Sequence, residues 1–364
     1  MGVCNVKGKF IGDVYYNCLD YGVTPESTDN TAAMQALIDL IYEKGGGVIW
    51  IPKGKYVFDS VASKRDLTGN VSLLCEMKSR VSIIGESIDA SILAVNGTTA
   101  SGAALFAQNS EAAGEILTGC TFQNFSVDMQ EMSIESYGHK AKAFYFSGIK
   151  DCVFRDLRLL GTPSTSLGID MLDNVVMDSL YVYKGGRQWV SGGNGGAGIG
   201  IGTGKWKDEN YIIRNCVCVE CGHYGIFLED QGIFNSNKVQ NFPAGQIIAN
   251  NVIRNGRNYG IGVRGGMNVL VTGNNVYECA GGIYTDYGAK DIAFAGNLVQ
   301  GCTGAAFCYG DESKTVNNAA YVCSEIAVLN NVFIRNGIGI QKLLVPTNSV
   351  EQANVLIGNT ADEA

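Results

Sequence analysis

A Gly-Ile pair recurs through the second half of this chain, at Gly168-Ile169, Gly198-Ile199, Gly225-Ile226, Gly260-Ile261, Gly282-Ile283 and Gly339-Ile340, with Gly304-Ala305 as a degenerate copy. Recurrence at so short a period means one supersecondary unit stacked many times, because a unit of this size cannot bury its own apolar face. The separations, by subtraction of the glycine positions, are 30, 27, 35, 22, 22 and 35 residues. A short basic unit therefore tolerates insertions, and regular rungs carry loops of unequal length.

Each unit also holds an Asn followed by an apolar residue, as in Asn215-Cys216, Asn251-Val252, Asn275-Val276, Asn297-Leu298 and Asn331-Val332, behind runs such as IIRN, IIAN and IAVLN. Alternating β-branched residues read as short strands, and the Asn and Gly positions as turns between them. Such a unit leaves no room for a helical crossover. Successive strands must coil into a parallel β-helix, an all-β solenoid with rungs about 4.8 Å apart, and equivalent positions stack as ladders.

With 46% apolar and 17% charged residues, and 48 Gly against 5 Pro in 364 residues, the chain suits a single elongated, turn-rich domain. The reading gives a cap over residues 1–60, rungs over 61–345 and a tail over 346–364. A net charge of -8 leaves no basic stripe to neutralise phosphates, which argues against nucleic acid as a partner. The opening MGVCNVKGKF has no apolar run resembling a signal peptide, and no stretch of about 18 apolar residues exists for a membrane span, so no membrane partner is expected. The twelve cysteines are irregularly spaced, but Cys221, Cys279 and Cys302 each fall shortly before a repeat glycine. That pattern fits stacked, buried thiols better than a disulfide framework, and it suits assembly in a reducing compartment. Cys216, Cys218 and Cys221 lack a fourth ligand at zinc-finger spacing.

Near the N-terminus, residues 28–30 offer helix caps before Met34, Leu37, Ile38 and Ile41, which share one helical face. Three glycines stop that helix, strands follow at Val48–Ile51 and Tyr56–Phe58, and the helix is expected to plug the open end of the coil. This stretch resembles the opening signature of the pectate-lyase-like superfamily of right-handed parallel β-helix proteins. Asp20, Tyr21, Gly22, Thr28, Asp29, Thr31, Gly45 to Gly47, Pro52, Gly54 and Tyr56 carry the match, and Pro25-Glu26-Ser27 departs from it. Members of the superfamily include phage tailspikes that cleave polysaccharide, uronan lyases, mannuronan epimerases and glycoside hydrolases. The resemblance thus implies a polysaccharide or oligosaccharide ligand without choosing the reaction.

Strand alternation points the first and third residues after each repeat glycine inward and the second and fourth outward. The outward set is Asp170 and Leu172, Gly200 and Gly202, Phe227 and Glu229, Gly262 and Arg264, and Tyr284 and Asp286. Glu229, Arg264 and Asp286 then stack on three consecutive rungs, with the two carboxylates about 9.6 Å apart by backbone spacing, close to the roughly 6.5–9.5 Å of inverting glycosidases. In this reading Glu229 and Asp286 are the general acid and base, and Arg264 holds one of them ionised. Phe227 and Tyr284 are platforms for sugar rings, and Gly200, Gly202 and Gly262 clear a floor. Asp170 extends the groove, while His223 and Trp206, with Trp189, line its rim. The competing reading is a surface salt-bridge ladder, worth about 0.2–1 kcal/mol per pair. His223 has its own alternative as a turn residue bonded to backbone. Setting the strand motif of the mannuronan epimerases on this chain puts Asp170 and Glu229 over acids, but Leu172 where a His is expected.

The first expectation is accordingly a polysaccharide depolymerase working by hydrolysis, which needs no cofactor. A uronan lyase or epimerase that uses Ca²⁺, and a noncatalytic glycan-binding tail or adhesion protein, are the alternatives. The resemblance to tailspikes implies an extracellular or virion-associated setting and a homotrimer.

Overall fold

The computed structural model describes residues 14–364 apart from 68–70, 111–113, 205, 207–208, 232–244, 312–313 and 317–318. Among the described residues, thirty-three strands form one continuous sheet that coils as a parallel β-helix. A regular rung has three strands. Tyr259–Arg264, Met267–Thr272 and Asn275–Tyr277 form one rung, and each pairs in parallel with its counterpart in the next, Gly281–Asp286, Lys290–Ala295 and Leu298–Gln300.

The repeat glycines mark a packing constraint. A Cβ at Gly225, Gly260 or Gly282 would strike the inward side chain of Ile253, Val276 or Val299, from the third strand of a rung. Only a residue without Cβ lets that branched side chain reach the backbone. The turns between the second and third strands use left-handed residues, Asn250, Gly273, Gly296 and Asn330, with φ from 54° to 65°. The residue after each one points inward, forming the buried ladder Asn251, Asn274, Asn297 and Asn331, which continues to the half-buried Asn354. Asn274 Oδ1 accepts from the backbone N–H and the side-chain amide of Asn251, at 3.0 and 2.9 Å. Its Nδ2 donates to the carbonyl of Ile248 and to Asn297 Oδ1, at 2.9 and 3.0 Å. Asn215 is a turn residue as the sequence pattern reads it, left-handed with Cys216 after it, whereas Asn275, also read as a turn, stands in its strand beside the ladder residue Asn274.

The helix Thr31–Glu43 covers the first turn of the coil, with Met34, Leu37, Ile38 and Ile41 buried as its spacing predicts. Asp29 Oδ1 accepts from the N–H of Thr31 at 3.0 Å, and Asn30 stands at the cap position. The coil extends further at the other end than expected. Residues 346–364 are not a tail, because Val350–Gln352, Val355–Ile357 and Ala361–Glu363 pair as one more rung on the strands before them. All eleven described cysteines are buried, without disulfides. Among the described residues, no helix is long and apolar enough to cross a membrane. Simple alternation also fails at one place. Met171 is left-handed, with φ 59°, so Leu172, expected to face outward, turns into the core.

Truncating Asn274 to Ala strips two donors of Asn251 and the Ile248 carbonyl of their buried partner. The expected cost is about 2–4 kcal/mol of unfolding free energy, read as a lowered denaturant midpoint, since each orphaned buried group costs about 1–3 kcal/mol. A change within 0.5 kcal/mol would mean, on the same scale, that the ladder carries no stability.

Candidate active site

The first strands of successive rungs form one wall of the coil, and their register brings the outward residues into two columns. Ser147, Asp170, Gly202, Glu229, Arg264 and Asp286 stand in line. Two residues earlier, Tyr145, Gly168, Gly200, Phe227, Gly262, Tyr284 and Cys308 form the second. The predicted alignment of Glu229, Arg264 and Asp286 on consecutive rungs is therefore present in the structure.

Their environments differ. Asp286 is only 1% exposed, and it lies against Gly310 of the following turn, where an added Cβ would come 2.8 Å from its own Cβ. Its Oδ2 accepts from the Tyr284 hydroxyl at 2.7 Å, and its Oδ1 lies 3.4 Å from Arg264 Nε. Burial pushes its carboxyl up to about 6, against the opposing effects of that hydroxyl and of Arg264. An acid so enclosed is a holder of Arg264 rather than an open carboxylate, and this corrects the expectation that Asp286 faces solvent.

Glu229 is half-buried and looks the other way along the column. The Asp170 carboxylate and the Gln231 side chain fill the space above Gly202 where a Cβ would stand, so Asp170 leans across the missing side chain toward Glu229. Gln231 Nε2 donates to Glu229 Oε2 at 3.4 Å. Lys142, 7% exposed, lies over Gly168, where an added Cβ would come 2.9 Å from Nζ, and its ammonium sits 4.1 Å from the Tyr145 ring centre. Burial pushes the Glu229 carboxyl up to about 7, with the negative charge of Asp170 adding to the rise and Arg264 and Lys142 opposing it. Burial also holds the Lys142 amine below its ordinary range, while Asp170 and Glu229 pull it back up.

Beside the acids runs a strip of rings: Trp189, His223, Tyr224, Phe227, Tyr259 and Tyr284. Neighbouring centroids along it lie 4.2–6.4 Å apart. Of the glycines expected to clear a floor, Gly262 is a socket for one of these rings, Gly202 receives Asp170 and Gln231, and Gly200 lies under Thr165, while Gly196 and Gly281 are further sockets. Tyr224 lies over Gly262, with ring atoms 2.5 and 2.8 Å from an added Cβ, Trp189 lies over Gly196, and Tyr259 over Gly281. Phe227 is outward but only 8% exposed, stacked 4.5 Å from Tyr224, which is itself 6% exposed, so the half-buried Tyr259 and Tyr284 packed against this pair present the faces expected of Phe227. His223 adopts its backbone-bonded alternative. Its Nδ1 lies 2.9 Å from the Gly195 carbonyl, which can only accept, so Nδ1 carries the proton. Burial pushes this imidazole down to about 4, which keeps it neutral at physiological pH. Trp206 is half-buried, its ring 3.3 Å from where a Cβ on Gly148 would stand, on the side of the wall toward the N-terminus.

Sequence reasoning overlooked Lys142, Tyr224 and Tyr259. The two tyrosines had a signal, since each directly precedes a repeat pair, in Tyr224-Gly225-Ile226 and Tyr259-Gly260-Ile261. Lys142 had none, because its rung lacks the Gly-Ile mark. Among the described residues no group of three or more His, Cys, Asp or Glu is placed to hold a metal ion. The two facing acids have the ammonium of Lys142 against them in place of the six or more oxygens that calcium takes, so the residues present do not fit Ca²⁺.

Because the folded Glu229 carboxyl titrates near 7 and the unfolded one near its ordinary 4.5, folding holds a proton that the unfolded chain releases. That contribution is complete below the unfolded value and is lost as pH rises through the folded one. Glu229→Gln should therefore gain about 1–3 kcal/mol on the native protein between mildly acidic and alkaline pH, measured by chemical denaturation across that range. A difference that stays constant with pH contradicts the raised carboxyl.

A family model for rhamnogalacturonase A/epimerase, pectate lyase-like proteins matches residues 15–307. The A-module of the mannuronan C-5 epimerase AlgE6 from Azotobacter vinelandii superposes with a TM-score of 0.64 at 14% identity, over 96% of this chain and 95% of that one. An exopolygalacturonase from Thermotoga maritima gives 0.62 at 12% identity, over 92% and 84%. At these identities the two structures show a shared fold. An uncharacterised SPbeta prophage-derived protein of Bacillus subtilis, YomE, is 35% identical over 75 residues, which is 19% of this chain and 12% of that protein. With its coil, its capped entry and a match that spans most of its length, the chain belongs to the rhamnogalacturonase A/epimerase family of pectate lyase-like proteins.

Proposed function

We propose that this protein is a carbohydrate-active enzyme that hydrolyses glycosidic bonds in a polysaccharide, with Glu229 as general acid and Asp170 as general base. One observation carries the reading: two carboxyls stand on either side of Gly202, and burial pushes one of them, Glu229, up to about 7. Glu229, pushed up to about 7, keeps a proton to give to the leaving oxygen. Asp170, beside the Lys142 amine, is assigned the partner role of taking a proton from the attacking water. The lean of Asp170 shortens the roughly 9.6 Å backbone separation of two rungs toward the range used by glycosidase carboxyl pairs. Arg264, held by Asp286, provides a fixed cation beside the acid. Tyr259 and Tyr284, both half-buried, supply faces on which sugar rings stack. The folds of a polygalacturonase and a mannuronan epimerase support a sugar polymer as substrate, and the prophage-derived relative supports a virion-associated or extracellular setting.

A second reading rests on Lys142. A buried amine held below its ordinary range is suited to remove a proton beside a carboxylate, the step shared by uronan lyases and epimerases.

Incubation with a panel of polysaccharides, followed by mass analysis, separates the two. Hydrolysis adds one water per cleavage, and its kcat/KM should fall as pH rises through about 7, where Glu229 loses its proton. Glu229→Gln and Asp170→Asn should each lower kcat by about 10²–10⁴-fold, the usual span of a general acid or base. Asp286→Asn should chiefly raise KM through a loosened Arg264. Products with an unsaturated, ultraviolet-absorbing end, abolished by Lys142→Met, would transfer the reading to elimination. Saccharide binding without any product would overturn both.

A further inference from the structure

The wall formed by the second strands of the rungs carries an outward column with no charged residue in it. Val176, Ile212, Ile247, Leu270, Ala293, Ala327 and Val350 are neighbours in register on successive rungs. All stand at solvent-facing positions, and Leu270 and Val350 are 38% and 48% exposed. The column lies on a different wall from the candidate acids. Its order by size is uneven, since the bulky residues Ile212, Ile247 and Leu270 come first and the small Ala293 and Ala327 follow. The adjacent row, two residues further along each strand, runs Arg214, Ala249, Thr272, Ala295, Leu329 and Gln352.

We propose that this wall is the interface of a two-fold homodimer in which the two solenoids run antiparallel. A two-fold axis along the strand direction, passing between Leu270 and Ala293, reverses the order of rungs in the partner. It sets Leu270 against Ala293, Ile247 against Ala327 and Ile212 against Val350. In the adjacent row it sets Ala249 against Leu329, Thr272 against Ala295 and Arg214 against Gln352. Large meets small in the central pairs of both rows. In the row on the other side, Asp291 and Glu325 meet Asn268 and Gly245, so no like charges oppose.

A parallel pairing would instead place each rung against its own copy, with Ile247 on Ile247 and Ala293 on Ala293, leaving clash at one end and a void at the other. A second copy is also the partner whose ladder must share the roughly 4.8 Å pitch of this one. Six rungs and three rows cover about 600 Å² on each partner, or about 1,200 Å² in total, at the lower edge of specific interfaces. The dimer is therefore expected to be reversible.

Sedimentation equilibrium from about 1 to 100 µM should show the mass rising toward two chains, and Leu270→Arg or Ala293→Arg should hold it at one. Both substitutions lie on the outer face, and circular dichroism with a thermal melt checks that the coil is intact. Geometry is tested by disulfide trapping, since every described native cysteine is buried. The double variant Ile247→Cys with Ala327→Cys should form a covalent dimer on mild oxidation. Ile212→Cys alone should not, because its two copies stand about 24 Å apart in the antiparallel arrangement. A protein that stays monomeric at 100 µM, a trimer, or cross-linking through Ile212→Cys alone would each overturn the proposal.

Discussion

Register between parallel strands is the constraint on which everything else in this molecule depends. Each strand pairs with its equivalent one turn later, so a residue's neighbours are fixed by its place in the repeat. Inside the coil this rule stacks Val, Ile and Phe into a continuous core, and it lines up one Asn per rung so that amide bonds to amide from Asn251 to Asn354. A slip of one residue would exchange inward for outward on a whole strand. The Asn ladder resists such a slip because a displaced rung would bury an amide with no partner.

Outside the coil the same rule makes side chains from distant parts of the sequence into neighbours and leaves glycine to decide how they meet. Gly202 lets Asp170 reach toward Glu229, Gly168 gives Lys142 a seat against both, and Gly262, Gly281 and Gly196 receive the rings of Tyr224, Tyr259 and Trp189. Filling these sockets lowers the access of water to the acids. The rise of Glu229 and Asp286 follows first from that burial; Asp170 adds to it at Glu229, and Arg264 opposes it at both. Two acids of one column thereby take different characters: Glu229 remains half-open beside Asp170, and Asp286 closes on Tyr284 and Arg264.

The coil, the inward and outward sets and the alignment of Glu229, Arg264 and Asp286 could be read from the repeat, and the capping helix from the spacing of Met34, Leu37, Ile38 and Ile41, because periodicity is a local property. The exceptions are instructive. Met171 breaks the alternation through a left-handed backbone, and the residues after Val345 pair as a further rung although the Gly-Ile mark is missing there. The ladder residue is Asn274 rather than Asn275, since one turn uses Gly273 where another uses Asn250. In each case the turn geometry, and not the strand pattern, fixed the register.

By itself, then, the sequence determined that the chain stacks into a parallel solenoid and that a line of charged and aromatic groups emerges along one wall. Alternation and turn chemistry act over a few residues and repeat, so they are written into any window of the chain. Only the tertiary structure decided which acid stays open, that Lys142 joins Asp170 and Glu229, and that the glycines are sockets rather than empty floor. Those outcomes depend on desolvation and on the lean of side chains across neighbouring rungs, and such contacts join residues that lie tens of positions apart in the chain.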